Sequence, residues 1–255
     1  MRVLVTRPKH DAKALTRALR ARGAEVMVEP MVEIVPLARV GVDLDGVQAV
    51  LLTSANGVRA LARTTPRRDT LLLAVGEATA SAARAAGFRD VEAAGGDVEA
   101  LAAHACGRLD PRAGPVVHVA GRTVAGDLAG TLTERGFTVR RAVLYEAHAA
   151  TGLSDSLRAA LEDSRLDAVL FFSPRTAQTF VNLVAEVGLE AALSRVEALC
   201  LSEAVVRAVG VLSWRRVRVA SRPRQEAVLA LLDETAGEAA GTLPAAPRVA
   251  TRSGS

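Results

Sequence analysis

Small hydroxylated and cationic residues recur where apolar runs stop. They stand at Thr6-Arg7-Pro8, Ser54-Ala55-Asn56-Gly57, Gly76 to Thr79, Gly121-Arg122-Thr123, Ser173 to Thr176 and Ser202-Glu203. If each run is a strand and each following segment a helix, these residues sit at strand C-termini, where open α/β sheets bind ligands. The free N–H groups of a helix start favour negative charge there, and Arg7 and Arg122 add guanidinium donors. The set suits an acidic ligand. Taken singly, Ser54 and Ser173 would serve equally as ordinary helix N-caps.

Tyr145, the only tyrosine, closes the apolar strand Phe137 to Tyr145. Its phenol either packs with the hydroxyl at the surface or donates a proton as a general acid. Other chemistries lack their residues. No GxGxxG or GxxxxGK[ST] phosphate loop and no GxSxG elbow is present. His10, His104, His118 and His148 are scattered without metal-ligand spacing, and two cysteines, Cys106 and Cys200, make neither a zinc pattern nor a disulfide framework. These residues support neither a metal site nor a nucleotide-binding loop.

The elements that position these residues follow from periodicity. Arg2 to Pro8, Asp11 to Arg22 and Glu25 to Pro30 read as strand, helix and strand, the size of one βαβ unit. An extended connector, Met31 to Gly46, leads to three strand–helix units: Ala49 to Ser54 with its helix, Leu71 to Val75 with Glu77 to Ala86, and Val91 to Ala93 with Val98 to Cys106. After the DPRAG break the opening repeats. Val116 to Ala120 is a strand, Val124 to Arg135 a helix and Phe137 to Tyr145 a strand, so that Leu15, Leu19, Arg22, Gly23 and Val26 fall on Leu128, Leu132, Arg135, Gly136 and Val139. A second connector, about Glu146 to Leu166, precedes Ala168 to Ser173 with its helix, Ala198 to Leu201 with Glu203 to Val209, and Val217 to Ala220 with Glu226 to Glu234. Ala49-Val50-Leu51 and Ser54 match Ala168-Val169-Leu170 and Ser173, which marks the chain as a duplication.

Ten strands in two sets of five predict two doubly wound parallel sheets covered by helices on both faces. The halves pair either as tandem domains or with the first two strands completing the sheet of the last three; the similar placing of the two connectors favours the second. From Thr235 onward the chain lacks periodicity and is expected to be a disordered tail.

Half of the 255 residues are hydrophobic, and the net charge of +4 is spread among acidic residues with only 3% aromatics. No basic run of nucleic-acid-binding type appears. No apolar run approaches the ~20 residues of a membrane span, and the N-terminus begins a strand without a leader. A cytoplasmic protein with no nucleic-acid or membrane partner is expected.

Together the opening VTRP, LLTSANGVRAL, AVGEATASAARAAG, AGGDVEALA, the strand end VLYEA, LFFSPRTAQTF and the closing RPRQEAVLALL resemble the uroporphyrinogen-III synthase family over residues 2 to 234. The resemblance implies two flavodoxin-like domains, segment-swapped and joined by a two-stranded ladder: 1–34 with 152–235, and 38–146, linked by 35–37 and 147–151, with 236–255 as the tail. It implies a cofactor-free monomer that cyclises the polycarboxylate hydroxymethylbilane with inversion of its terminal ring and loss of water, in a cleft between the domains. Tyr145 falls on the family's strand-end tyrosine, placed to help the hydroxymethyl group leave, and Thr79 on the threonine of its VGxxTA-like turn. The expected substrate-binding set is Thr6, Arg7, Ser54, Asn56, Gly76, Thr79, Gly121, Arg122, Ser173, Thr176 and Ser202. One departure stands out: where many members carry GPTTA, this chain has Ser202-Glu203-Ala204-Val205-Val206. A non-catalytic two-lobed binding protein for an acidic metabolite is the alternative.

Overall fold

The computed structural model describes residues 1–38, 40–123 and 126–241, with side chains described through Glu234. The chain divides into two compact units: Met1–Glu33 with the chain from Ala149 onward, and Ile34–His148.

The first unit is a five-stranded parallel sheet in the order β2-β1-β9-β10-β11. Its strands are β1 (Arg2–Val5), β2 (Glu25–Val28), β9 (Ala168–Phe171), β10 (Glu197–Cys200) and β11 (Arg216–Val219). The central three are apolar almost throughout because both faces are covered. Leu4, Val169, Phe171 and Cys200 point into one core with α6 (Asp155–Glu162), α7 (Pro174–Glu186) and α8 (Glu203–Val209). Val3, Val5, Leu170 and Leu199 point into the other, with α1 (Lys9–Arg20) and α9 (Gln225–Gly241). Phe171, Phe180 and Trp214 form one aromatic cluster with centroids 5.5 to 6.0 Å apart. The outermost strands, EVMV and RVRV, carry charges where an open edge would otherwise invite pairing.

The second unit is a six-stranded sheet in the order β3-β8-β7-β4-β5-β6, formed by β3 (Val32–Pro36), β4 (Ala49–Leu52), β5 (Leu72–Ala74), β6 (Val91–Ala93), β7 (Val116–Gly121) and β8 (Val139–Ala149). Strands β4 to β8 are parallel. Val50, Leu52, Val117 and Val119 face α2 (Ala55–Thr64) and α3 (Glu77–Ala85), whereas Ala49, Leu51, Leu73 and Val116 face α4 (Val98–Arg108) and α5 (Leu128–Thr133). If β7, β8, β4, β5 and β6 are matched to β1, β2, β9, β10 and β11, both sheets have the same order. The duplication is therefore structural, with the second unit circularly permuted, and the fold is the segment-swapped α/β arrangement expected.

Strands β3 and β8 carry the chain through the two crossovers. Leu37 N–H donates to the Leu144 carbonyl, and Ala150 N–H donates to the Met31 carbonyl, each at 3.0 Å. One index rises as the other falls, so this ladder is antiparallel.

Four local expectations need correction. The extended connector at Val32–Pro36 is a sixth strand of the second sheet, satisfied by β8. The second connector contains α6: the Ser154 hydroxyl accepts from Leu157 N–H, and Leu157, Ala160 and Leu161 form its buried face. Helix α5 starts at Leu128, after Gly126 at φ +75° and the Asp127 cap, and the first two residues of its expected span, Val124 and Ala125, lie outside the described residues. Helix α9 runs past Glu234 through Gly241, so the tail expected from residue 236 is helical at its start, and 242–255 lie outside the described residues.

Gly114, before β7, has φ +131°, and a Cβ there would stand 2.5 Å from the Gly46 carbonyl oxygen. Neither backbone yields easily, since Gln48 Nε2 also holds the Gly114 carbonyl at 2.6 Å. Gly114→Ala is expected to cost about 2 kcal/mol of unfolding free energy in urea melts. A change below a few tenths would show that the loop relaxes freely.

Candidate functional site

In each unit the strand order reverses once, between β1 and β9 and between β7 and β4. The helices that follow these strands leave to opposite faces of the sheet, which opens a crevice at the strand C-termini.

In the second unit that crevice gathers Ser54, Gly121, Arg122 and Tyr145. Ser54 ends the β4 run and caps α2, its Oγ accepting from Gly57 N–H at 3.2 Å. The same Oγ lies 3.0 Å from the Tyr145 hydroxyl. A register shift between Ala120 and Gly121 sets Gly121 opposite Tyr145. There the missing side chain is required: a Cβ on Gly121 would lie 2.9 Å from Tyr145 Cε2. Arg122 N–H donates to the Tyr145 carbonyl at 3.0 Å, fixing the strand on the other side. The ring is 9% exposed and packs with Leu144 and Val119 in the core under α2.

Charged neighbours rim this phenol. Arg122 pairs with Glu146, and His148 Nε2 lies 2.7 Å from the other Glu146 oxygen. These two partners, His148 foremost, hold the Glu146 carboxyl below the usual carboxylate range. Arg141 Nη2 donates to the carbonyls of Gly121 at 3.0 Å and Arg122 at 2.7 Å. Sequence reasoning passed over Arg141 and Glu146 and set His148 aside as one of four scattered histidines; the available cue was their clustering on the strand that bears the sole tyrosine.

Other expected residues of this unit take local roles. Asn56 Oδ1 accepts from the Arg59 guanidinium. Gly76 caps α3 without a side chain, and a Cβ on it would come 3.3 Å from Gly96 Cα, so the loops after β5 and β6 touch through backbone alone. Thr79 is buried in the first turn of α3.

In the first unit the hydroxyls are largely committed. Thr6 is fully buried, and its Oγ1 donates to the Leu170 carbonyl at 2.9 Å, clipping β1 to β9. Ser173 caps α7 by accepting from Thr176 N–H, and its Oγ lies 3.0 Å from Thr176 Oγ1, which also reaches the Ser173 carbonyl. Arg7 stacks 4.6 Å over Phe172 and donates to Gln225 Oε1 at 3.2 Å. Ser202 precedes α8 without a side-chain capping bond. Beneath it burial, with Glu203 nearby, pushes the Cys200 thiol up to about 12, so it is an inert packing group.

Among the described residues no three His, Cys, Asp or Glu side chains converge as a metal site, and no helix is long and apolar enough to cross a membrane. Fold and site together define a duplicated α/β protein whose second unit holds a capped serine, a phenol and arginine at a topological switch point.

Comparison with known proteins narrows that class. The family model described as uroporphyrinogen-III synthase HemD matches residues 13–230. The uroporphyrinogen-III synthase of Chlorobaculum parvum is 30% identical over 202 residues, covering 71% of this chain and 78% of that protein. Among solved structures, the Helicobacter pylori uroporphyrinogen-III synthetase is similar at TM-score 0.64 and 17% identity, covering 92% of this chain and 100% of its own. A mutant Thermus thermophilus uroporphyrinogen III synthase is similar at TM-score 0.53 and 19% identity, covering 93% and 99%. The chain belongs to the uroporphyrinogen-III synthase family, lyases of porphyrin and heme biosynthesis.

Proposed function

We propose that this enzyme cyclises hydroxymethylbilane to uroporphyrinogen III, with Tyr145 as general acid. The observation that carries the reading is the Tyr145 hydroxyl held 3.0 Å from Ser54 Oγ at the β7/β4 switch point. The Tyr145 proton passes to the substrate's hydroxymethyl oxygen, the C–O bond breaks, and water leaves as the pyrrole nitrogen lone pair stabilises the carbocation. The terminal ring then attacks the cation through its substituted carbon to form a spiro intermediate. The bond from that carbon to the methylene of the third ring breaks, and the terminal ring's free α-carbon closes onto that methylene, leaving the ring inverted. The proton lost from that α-carbon as the ring regains aromaticity restores the phenol, so substrate gives product plus water.

The cation is reactive without help, and unaided closure gives the uninverted isomer. The protein's contribution is therefore mainly orientation, which holds the chain so that attack at the substituted carbon comes first. Arg122 and Arg7, the open backbone N–H groups at Gly76, and the Ser202 hydroxyl are the groups we assign to the substrate's carboxylates. Ser54 and Ser173, whose hydroxyls are engaged by Tyr145 and Thr176, hold the helix ends that face the substrate. Thr6 and Thr176, clipped to neighbouring carbonyls, hold the strand and helix ends that present them. Asn56, Thr79 and Gly121 shape the second unit's crevice.

We assign the activity to a single chain, since both switch points arise from one polypeptide. We place it in the cytoplasm, which fits the free thiols of Cys106 and Cys200.

The test supplies freshly made hydroxymethylbilane, oxidises the products and separates the type I and type III isomers, with a no-enzyme control. Predominantly type III product is expected. Type I alone, at the spontaneous rate, together with saturable binding of the bilane, would assign the chain to the binding-protein reading that the Ser202-Val206 departure suggested.

A further inference from the structure

The duplication supplies an internal control on Ser54. Both serines end a central strand, cap the next helix and accept from the N–H three residues on, Gly57 for Ser54 and Thr176 for Ser173. That third residue decides what each hydroxyl does next. In the first unit it is Thr176, whose Oγ1 lies 3.0 Å from Ser173 Oγ and occupies it. In the second unit it is Gly57, which offers no hydroxyl and stands where a Cβ would meet Leu52 Cδ2 at 3.3 Å and the Val119 carbonyl at 3.4 Å. Ser54 therefore turns to Tyr145.

We infer that Ser54 is a positioning residue for Tyr145, acting on the phenol. This rests on the synthase reading of Tyr145. A hydroxyl has one proton and two lone pairs. One Ser54 lone pair is taken by Gly57 N–H, so its proton can be given to the phenol oxygen. In that orientation the phenol proton faces away from Ser54, toward an acceptor in the crevice. When that proton passes to the leaving hydroxyl, Ser54 already donates to the phenolate that remains. Gly121 completes the arrangement by leaving room for the ring, and the N-cap bond keeps Ser54 from rotating away.

Two readouts separate this role from a structural one. Ser54→Ala is expected to lower kcat by about 3- to 10-fold, the range of one neutral hydrogen bond, with KM little changed. Ser54→Thr, which keeps both hydroxyl and cap, should stay within about 2-fold of the parent. In a Tyr145→Phe background Ser54→Ala should have no further effect on kcat, because the group it serves is gone. Because the chain has a single tyrosine, carbon-13 at tyrosine Cζ gives one NMR resonance. It should move in Ser54→Ala and stay near the parent position in Ser54→Thr.

An unmoved resonance in Ser54→Ala overturns the proposal. So does an equal loss of kcat in the Tyr145→Phe background, or a rise in KM at constant kcat, which would make Ser54 a substrate contact alone. The resonance needs no substrate. A parent enzyme that makes no type III product would thus sink the synthase reading separately, while the resonance still judges the pair.

Discussion

Tyr145→Phe is expected to lower kcat by about 10- to 100-fold while the product remains the type III isomer. The substitution removes one oxygen and its proton and leaves the ring, which packs with Leu144 and Val119 and lies against Gly121. Positioning by the rest of the crevice survives, so the surviving turnover keeps its isomer preference. The bound stays near 100-fold because the hydroxymethyl group leaves slowly even without an acid, pushed out by the pyrrole nitrogen. Folding stability should fall by no more than about 1 kcal/mol, since Ser54 keeps its bond to Gly57 N–H. The check is kcat at saturating hydroxymethylbilane, with the spontaneous reaction subtracted and both isomers quantified. An unchanged kcat removes Tyr145 from the acid role; a loss of type III preference at unchanged total turnover makes it a positioning group.

That prediction draws on a residue legible in the sequence and on a geometry that was not. A lone tyrosine at an expected strand end beside small hydroxylated residues could be singled out by type, although β8 runs on past it to Ala149. Its bond to Ser54 depends on a register shift at Gly121 and on Gly57 standing where the other copy has Thr176. Strand-end hydroxyls look alike in sequence whether they are occupied, as in Thr6 and Ser173, or turned toward a phenol, as in Ser54. The pairing of Glu146 with His148 was illegible for a different reason. Exposed charged residues are common, and only the ladder that sets Arg122 beside β8 makes these two part of the rim.

The fold was legible where burial writes itself locally. β4, β9 and β7 are buried on both faces and therefore appear as unbroken apolar runs, each ended by a cap or glycine. β3 was read as extended but not as a strand of the sheet, because its partner β8 lies far along the chain and pairing leaves no local mark. Helix α6 did leave one: Ser154 followed by Leu157, Ala160 and Leu161 is a capped amphipathic turn, hidden by its place inside an expected connector. The permutation of the second unit could be favoured from the two similar connectors, and shared strand order in the two sheets is its structural form.

His118 shows most clearly what type and spacing omit. It is one of four scattered histidines in sequence, yet it is 4% exposed in β7, and neither ring nitrogen has a hydrogen-bond partner. It is paired across the sheet with Leu51 and Arg141, on the face whose core holds Leu101, Ala105, Leu128 and Leu132. Burial, then the Arg141 charge, lowers its pKa from 6.5 to about 4. As pH falls from 6.5 the unfolded chain takes up the proton before the folded one does. The folded state is therefore at full stability above about pH 6.5 and loses it progressively down to about pH 4, where the folded imidazole also titrates. Each tenfold difference in proton affinity between the two states is worth ~1.4 kcal/mol, so the loss approaches about 3 kcal/mol. His118→Leu keeps the volume, removes the unpaired nitrogens, and should leave stability at pH 7.5 equal or higher. Urea unfolding of both proteins across pH 4 to 7.5 gives the comparison. The two curves should diverge below pH 6.5, with the parent falling faster by up to about 3 kcal/mol. Parallel curves would show that His118 finds a partner or water on protonation, and that the acid limb belongs to the carboxylates, among them Glu92 and Glu146, whose folded forms are held in the charged state by Arg108 and by His148.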